Sequence, residues 1–423
     1  MITLVLFFIL LALGLPIIFL LIAVSFIFVI EVDATVLFSS FAVQATRGIE
    51  ANGFLAIPLY MLVGELMTRS GITERLIRVA DAMMGGMRGG LAYVNVLANA
   101  FAAAILGSAT AQIGVMSRSI VPEMIKRGYS PALATGLTVS AGLLGPIVPP
   151  SMLMIIYGTL AYQSVATLFI AGIVPGILIT FGFFTVVAMK AKNLPAGNPE
   201  ETKNRPPKAW VLDLLPTLIP ASIVIGVVSG AMTPTEAGGF ACVVVLVLSV
   251  LVYRTITWKD VVPMLTNVVL ASSSVIALIG FATLFGWVLS YEGIPDILAQ
   301  LLLNAAVGPI SFLLLVCLVV FVLGMFLDGI GIMIVIVPIL LPIAMQFDID
   351  PIHFGVVIAI ATLTGLVSPP VGPGLYIAME ATGLKMMTIF NAALPFMLAF
   401  LVCLVLIVLM PWLSTFLPNM IGV

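Results

Sequence analysis

The apolar run from Ala132 to Ala161 is long enough to cross a bilayer, but prolines interrupt it in the middle. The interruption reads Gly145-Pro146-Ile147-Val148-Pro149-Pro150-Ser151. Because proline has no N–H, each proline leaves the carbonyl four residues before it without its helical donor. In hydrocarbon an unsatisfied carbonyl is costly, so protein, water or an ion has to satisfy it. The sequence therefore predicts a broken membrane helix with free carbonyls at Gly142, Gly145 and Pro146.

The same pattern recurs downstream as Gly365-Leu366-Val367-Ser368-Pro369-Pro370, where the freed carbonyls would be those of Gly365 and Leu366. Six landmarks recur with one offset of 220 residues, and they are Pro122 and Pro342, Pro131 and Pro351, Gly145 and Gly365, Pro149 and Pro369, Pro150 and Pro370, and Pro175 and Pro395. Interrupted membrane helices at matching places in two halves indicate the binding site of a transporter.

Composition excludes a soluble globular protein, because 62% of the 423 residues are hydrophobic and only 8% are charged. It predicts an all-α polytopic membrane protein. The first segment, Ile2–Ile30, has no basic n-region and no cleavage site, so we expect a retained membrane helix. No catalytic triad, metal-ligand spacing, phosphate loop or basic cluster is present, so neither an enzyme nor a nucleic-acid partner is expected.

We divide the chain into two repeats. The first covers residues 1–191, with a re-entrant hairpin at about 90–127 and a broken helix at about 131–162. A polar, proline-rich cytoplasmic linker occupies residues 192–211. The second repeat covers residues 212–423, with a hairpin at about 309–346 and a broken helix at about 351–381.

Charge predicts that the two repeats are inverted. Basic residues surround the surface helix and hairpin ends of the first repeat, whereas acidic residues take the corresponding places in the second. Lys and Arg concentrate on the cytoplasmic side of membranes. We therefore expect a cytoplasmic N-terminus, a periplasmic C-terminus and, apart from Arg47 and Arg118, only cytoplasmic basic residues. The residues compared are Arg69, Arg75, Arg78, Arg88, Lys126 and Arg127 with Glu292, Asp296, Asp348 and Asp350.

The first hairpin turn, Gly107-Ser108-Ala109-Thr110-Ala111, has small side chains that allow backbone and ligand to approach closely. No charge marks this turn as exposed to solvent. Polar residues in its arms favour burial in protein, and they are Asn95, Asn99, Gln112, Ser117 and Ser119. We therefore favour a re-entrant turn, and a tight outer turn between two complete membrane helices is the alternative.

The second hairpin turn, Gly324–Gly331, contains the carboxylate of Asp328. About 20 residues, roughly 30 Å of helix, separate it from Asp348 at the outer end of the arm. An ionisable residue at that depth is a candidate for function. The alternative is that Asp328 caps the helix that starts near Ile330.

Several segments resemble the large membrane subunit of the TRAP (tripartite ATP-independent periplasmic) transporters. They are Gly107-Ser108-Ala109, Val121-Pro122 with Lys126-Arg127-Gly128-Tyr129, Gly145 to Ser151, Ala171-Gly172-Ile173-Val174-Pro175-Gly176, IPLYMLVGELMTRSGITERL and FLDGIGIMIVIVPILLPIA. The resemblance extends over essentially the whole chain. The one departure noted is Gln112, where the family more often has Asp.

This resemblance implies a sodium-driven importer of organic acids, of the sialic acid or dicarboxylate class, that works by an elevator mechanism in the bacterial inner membrane. It also implies two partners, which are a small four-helix membrane subunit and a periplasmic substrate-binding protein. Because the chain has no additional four-helix segment at either end, we expect the small subunit to be a separate polypeptide. The alternatives are a stand-alone sodium-coupled carboxylate transporter of the same superfamily, an ion channel and a membrane-embedded enzyme.

With sodium as the implied ion, we expect two sodium sites, because hard cations favour oxygen ligands such as freed carbonyls. The first would use Ser108, Ala109, Gly145, Val148 and Pro150. The second would use Gly324, Gly365, Ser368 and Pro370. The acid would bind between the hairpin tips, at Ser108, Thr110, Pro149, Ser151, Asp328 and Pro369.

Overall fold

A computed structural model describes residues 6, 9–10, 15–50, 55–195, 207–291, 293–305 and 307–422. Within these ranges the chain forms helices and turns and contains no strand. Residues 196–206 of the predicted linker, Glu292 and most of the segment before Leu15 lie outside the described residues.

The described helices of the first half are α1 (Ile17–Glu31), α2 (Phe41–Glu50), α3 (Ala56–Arg69), α4 (Ile72–Met84), α5 (Gly90–Leu106), α6 (Ala109–Ser119), α7 (Val121–Lys126), α8 (Pro131–Gly142), α9 (Met152–Leu160) and α10 (Val165–Lys190). A short 3₁₀ helix, Thr35–Ser40, precedes α2. Helices α5 to α7 form the first hairpin, and α8 and α9 are the two parts of the first broken helix.

The described helices of the second half are α11 (Pro207–Leu214), α12 (Leu218–Val228), α13 (Pro234–Val247), α14 (Trp258–Tyr291), α15 (Ile294–Asn304), α16 (Pro309–Gly324), α17 (Gly329–Gln346), α18 (Pro351–Leu366), α19 (Pro373–Thr382), α20 (Met386–Leu409) and α21 (Trp412–Ile421). Helices α16 and α17 form the second hairpin, and α18 and α19 are the second broken helix. The interruptions between α8 and α9 and between α18 and α19 coincide with the proline-rich motifs of the sequence.

Local sequence explains where the broken helices begin. The Ser130 hydroxyl accepts from the N–H of Leu133 at 3.3 Å, and Pro131 follows at the first helical position. At the equivalent place Asp350 accepts from the N–H of Ile352 at 2.7 Å, and Pro351 follows. A side-chain cap typically contributes about 1 kcal/mol, and proline is favoured at this position because its missing N–H has no helical partner to lose.

Helix length separates the membrane-crossing helices from the broken ones. Five of the described helical segments are long and apolar enough to cross a membrane, and they are Val165–Asn193, Pro234–Val252, Lys259–Tyr291, Gly329–Gln346 and Met386–Leu409. Helix α8 has 12 residues, about 18 Å, and α9 has 9 residues. Neither part alone is long enough to span a hydrocarbon core of about 30 Å.

The two hairpins and the two broken helices pack into one bundle. Helix α5 packs on α8, and α16 packs on α18 at the equivalent place. The second part of each broken helix packs on the hairpin of the other half. Helix α9 packs on α17, and α19 packs on α6. The long helix α14 lies beside this bundle and contacts α1, α2, α3 and α17.

Ion pairs gather the basic residues of the first half at one end of the molecule. Arg75 and Arg78 of α4 both bind the Asp213 carboxylate, at 3.1 and 2.8 Å. Arg127 lies 3.6 Å from Asp81. Arg88 donates to the carbonyl of Lys192 at 2.8 Å. These contacts connect α4, the hairpin end and the segments on either side of the linker.

Candidate functional site

Each hairpin turn is hydrogen-bonded to the break of the broken helix in the same half. The N–H of Met152 donates to the Gly107 carbonyl at 3.3 Å, and the N–H of Gly372 donates to the Met325 carbonyl at 3.0 Å. The two donors are 220 residues apart. The Pro149-Pro150 and Pro369-Pro370 peptide bonds are both cis. Gly107 is buried at the level of the break, which favours a re-entrant turn over a tight turn at an outer surface.

The structure corrects part of the carbonyl prediction. The Gly142 carbonyl accepts from the N–H of Gly145 at 3.2 Å, and the Pro146 carbonyl accepts from the Ser151 hydroxyl. In the second half the Gly365 carbonyl accepts from the N–H of Ser368 at 2.9 Å. The expectation that these three carbonyls lack a donor is therefore wrong, because tight turns and one serine replace the donors that proline removes. Within the described residues, no hydrogen bond to the Gly145 carbonyl is formed.

Three oxygen atoms converge beside Gly145. A Cβ atom placed on this glycine would lie 2.8 Å from Gln112 Oε1, 3.2 Å from the Ser108 carbonyl and 3.3 Å from the Gly142 carbonyl. Only the absence of a side chain at Gly145 leaves this space free. The arrangement provides oxygen ligands without a full charge, which are ligands that a hard cation accepts.

A chain of buried amides fixes the orientation of Gln112. Asn95 Nδ2 donates to Thr138 Oγ1 at 2.6 Å, and Asn99 Nδ2 donates to Asn95 Oδ1 at 2.8 Å. Gln112 Nε2 then donates to the Asn99 carbonyl at 2.8 Å and to Asn99 Oδ1 at 2.9 Å. All four side chains are fully buried. Because both Gln112 donor contacts face Asn99, its amide oxygen has to face Gly145.

This amide oxygen has no hydrogen-bond partner among the described residues. A buried acceptor without a donor costs about 1–3 kcal/mol. Sequence reasoning noted Gln112 as one of the polar residues in the hairpin arms and as a departure from the family pattern, and it did not place this residue beside Gly145. The sequence feature that could have pointed to Gln112 is its spacing from Asn99 across the turn. The orientation of the two side chains relative to each other, however, depends on the folded hairpin.

The second half brings Gly324 and Gly365 together by direct backbone contact. A Cβ atom on Gly365 would lie 2.4 Å from the carbonyl carbon of Gly324, so only glycine fits there. The Ser368 hydroxyl donates to the Thr364 carbonyl at 2.8 Å. Gly324 and Gly365 of the predicted second set therefore meet, but the carbonyl of Gly365 and the hydroxyl of Ser368 already take part in hydrogen bonds. Pro370 is exposed at the end of this turn.

A small central cavity, about 30 Å³ in volume, lies between the two hairpin turns. It is lined by predicted residues of both turns, which are Ser108, Ala109, Thr110 and Asp328, together with Pro146 and Met152 of the first break. Ser108 and Asp328 are 220 residues apart, and each is the residue before the second arm of its hairpin. Asp328 Oδ1 accepts from the N–H of Gly331 at 3.0 Å. Asp328 is thus both a helix cap and part of the cavity wall.

Four other predicted residues are placed away from the central cavity. The buried Ser151 hydroxyl caps α9 by accepting from the N–H of Met154 at 3.3 Å. Val148 and Pro149 line a different, larger and almost wholly apolar cavity of about 550 Å³ on the other side of the first break. Pro369 is half-buried and is not among the residues that line the central cavity.

Two charged or titratable residues outside the central cavity make local contacts. Glu65 pairs with Arg69 one helical turn later at 2.8 Å. His353 is buried, and its Nδ1 lies 2.7 Å from the Ser414 hydroxyl. Neither residue lines the central cavity.

Comparison with known proteins gives one family. Residues 4–413 match the model of the family described as "Tripartite ATP-independent periplasmic transporter, DctM component". The chain is 32% identical to the sialic acid TRAP transporter large permease protein SiaM of Vibrio cholerae, over 96% of this chain and 95% of that protein. It is 34% identical to the C4-dicarboxylate TRAP transporter large permease protein DctM of Pseudomonas aeruginosa, over 90% of each.

Solved structures with low identity share the fold. The YdaH transporter of Alcanivorax borkumensis matches with a TM-score of 0.64 and 13% identity, over 89% of this chain and 88% of that one. MtrF of Neisseria gonorrhoeae also has a TM-score of 0.64 and 13% identity, over 90% of this chain and 85% of that one.

Proposed function

Since the chain belongs to the DctM component family of tripartite ATP-independent periplasmic transporters, which are not enzymes, we propose that it imports an organic acid by coupling to sodium. The acid would reach it on a periplasmic binding protein, and a separate small membrane subunit would complete the membrane part. The chain is a multi-pass membrane protein of the TRAP type. In this proposal it lies in the bacterial inner membrane with a cytoplasmic N-terminus and a periplasmic C-terminus.

The convergence of oxygens beside Gly145 is the observation that carries the sodium proposal. Gln112 Oε1 has no donor among the described residues, and it faces a space that a glycine keeps open. The Ser108 carbonyl, which accepts from the N–H of Gln112 at 3.0 Å, faces the same space. A sodium ion would be held there by these oxygens and by the Gly145 carbonyl, and it would supply the missing partner. The second site, at Gly324, Gly365, Ser368 and Pro370, stays part of the proposal with weaker support.

Sodium binding would set the geometry of the hairpin tips. Ser108 and Ala109 belong both to the proposed ion site and to the wall of the central cavity. An ion that orders this turn therefore changes the affinity for an acid bound next to it, and by linkage the acid changes the affinity for sodium by the same factor.

The central cavity in this conformation is too small for an organic acid, because ligand pockets usually have volumes of about 300–1,000 Å³. Substrate binding between the tips thus requires the hairpin turns, or the two halves that carry them, to separate. The relatives named for sialic acid and for C4-dicarboxylates suggest the class of the substrate. We propose a carboxylate of one of these two kinds.

Inverted repeats and an elevator movement complete the proposal. The 220-residue separation of the two donors in the turn–break hydrogen bonds supports the repeats, as does the packing of α9 and α19 on the hairpins of the opposite halves. The bundle of hairpins and broken helices would move as a unit against α14 and the helices around it. The acidic residues at the predicted outer end, Asp296, Asp348 and Asp350, do not favour direct capture of an anion, which supports delivery by a docked protein.

Reconstitution tests this function and its nearest alternative. The chain is placed in proteoliposomes with its small subunit, and uptake of labelled sialic acid and of a labelled C4-dicarboxylate is measured with the binding protein outside. We expect uptake of one acid, and its loss when either partner is omitted. Robust uptake by the chain alone would instead establish a stand-alone carboxylate transporter.

A further inference from the structure

The 550 Å³ cavity behind the first break is separate from the central cavity and has a different character. Its walls are made by α4, α5, α10 and α12, together with Val148 and Pro149 of the first break. The residues that line it are overwhelmingly apolar. Along α10 it extends from Ile173 to Phe184, which corresponds to about 16 Å. A charged acid gains no hydrogen bonds in such a space, so this cavity is not a second substrate site.

The cavity is open on one side to the surroundings of the protein. Ile177 and Phe181 line it and are 51% and 62% exposed. Both lie within Val165–Asn193, one of the segments that is long and apolar enough to span a membrane. An opening at this level faces the hydrocarbon of the bilayer, so an acyl chain can enter it without crossing a polar layer.

Basic residues concentrate at one end of the cavity. Leu76, which lines it, lies between Arg75 and Arg78 on α4, and these two guanidinium groups share the single carboxylate of Asp213. Arg88 precedes α5 and donates a hydrogen bond to the Lys192 carbonyl. Lys190 is the last residue of α10, and Lys192 follows two residues later. The carboxylates on the nearby elements are Glu74, Asp81 and Asp213, and Asp81 faces Arg127. Cations therefore exceed carboxylates at this end.

We propose that this cavity binds an anionic phospholipid, with one acyl chain between α5, α10 and α12 and the phosphate headgroup beside Arg75 and Arg78. Charge complementarity selects the headgroup, because two guanidinium groups with one carboxylate retain a positive charge at the membrane surface. The apolar lining of the cavity favours an acyl chain, and therefore a lipid, over a soluble anion. A bound chain would touch Val148 and Pro149 of the first break, the segment that also contains Gly145. This inference does not rest on the proposed transport function.

A tryptophan reporter tests the proposal in the full chain. The four native tryptophans are changed to phenylalanine, and Phe101→Trp introduces one reporter on the cavity wall. The matched control is Phe19→Trp on α1, where the side chain is 60% exposed at the outer surface of the fold. Each protein is reconstituted in vesicles of unlabelled phosphatidylcholine. An increasing fraction of a lipid with brominated acyl chains, either phosphatidylglycerol or phosphatidylcholine, is then included, because bromine quenches tryptophan fluorescence on contact.

We expect brominated phosphatidylglycerol to quench Phe101→Trp at a several-fold lower mole fraction than brominated phosphatidylcholine does. The two brominated lipids should quench the control Phe19→Trp equally well. Adding Arg78→Gln should weaken the preference at Phe101→Trp by about fivefold, the contribution of one basic residue near an anionic surface. Unchanged quenching of Phe19→Trp in that variant shows that it is still folded and inserted. Equal quenching of Phe101→Trp by both lipids, or quenching by neither, would overturn the proposal.

Discussion

The amide oxygen of Gln112 faces Gly145 so closely that a Cβ atom on the glycine would lie 2.8 Å from it. The two residues belong to different elements, the second arm of the first hairpin and the first break. The side chain of Gln112 is fully buried, and its amide nitrogen donates two hydrogen bonds to Asn99. Its oxygen is therefore directed at a space that only a glycine leaves open, and this relationship makes the proposed sodium site testable.

Gly145→Ala should impair sodium dependence. The added methyl group would occupy the space between Gln112 Oε1 and the Ser108 carbonyl, and overpacking of this kind costs about 1–3 kcal/mol. We expect the sodium concentration for half-maximal uptake to rise about tenfold or more. The control is Gly239→Ala, where the nearest atom to the new Cβ is 4.0 Å away and uptake should be unchanged. Normal sodium dependence in Gly145→Ala would remove this glycine from the ion site.

Gln112→Leu should abolish the stabilisation of the protein by sodium. The change removes the free amide oxygen and also leaves two Asn99 acceptors without their donor, which costs about 1–3 kcal/mol. Thermal unfolding is measured in sodium chloride and in choline chloride, since a ligand that binds only the folded state raises the Tm. The wild type and the control Gln163→Leu should show a higher Tm in sodium. If Gln112→Leu keeps the full sodium-dependent increase, its oxygen is not a ligand.

The hairpins and breaks could be predicted from sequence because proline and glycine act on the local backbone. Pro131 and Pro351 begin helices, and the Pro149-Pro150 and Pro369-Pro370 pairs lie in the breaks. The hydrogen-bond partners of the individual carbonyls could not be predicted in the same way. A freed carbonyl can find a substitute donor through a local turn, as Gly365 does with the N–H of Ser368, and the prediction considered only the donors that are lost.

Placement of the site residues shows the same limit. Ser108, Thr110 and Asp328 line one cavity because the two hairpin turns that carry them are adjacent. The 220-residue offset between the halves predicted that these turns correspond. Pro149 faces the apolar cavity because the path of the chain through the break decides its direction. The alternation of residues along an irregular segment has no fixed period, so sequence alone does not assign its faces.

Asp328→Asn should separate the two roles of this residue. Asparagine is as good a helix cap as aspartate, so we expect the thermal stability to change little, whereas Asp328→Ala should cost about 1 kcal/mol. Because the carboxylate lines the central cavity with Ser108 and Thr110, loss of its charge should reduce uptake about tenfold. Asp260→Asn, at the start of α14, is the control for the loss of a capping charge. Full uptake by Asp328→Asn would leave capping as its sole role.

Cysteine labelling should reveal the inverted orientation of the two hairpins. Lys126 and Gln346 end the second arms of the first and second hairpins, are 220 residues apart and are exposed. After Cys242, Cys317 and Cys403 are replaced, Lys126→Cys should react with an impermeant maleimide only from the cytoplasmic side, and Gln346→Cys only from the periplasmic side. Labelling of both positions from the same side would contradict the inverted repeats.

Uptake with and without sodium tests the central claim most directly. Proteoliposomes that contain the chain and its small subunit receive the binding protein and labelled acid outside, with either sodium chloride or choline chloride at the same ionic strength. Sodium coupling predicts accumulation of the acid only with an inward sodium gradient, and a parallel loss of that accumulation in Gly145→Ala. Undiminished accumulation in choline chloride would contradict the sodium sites and the coupling built on them.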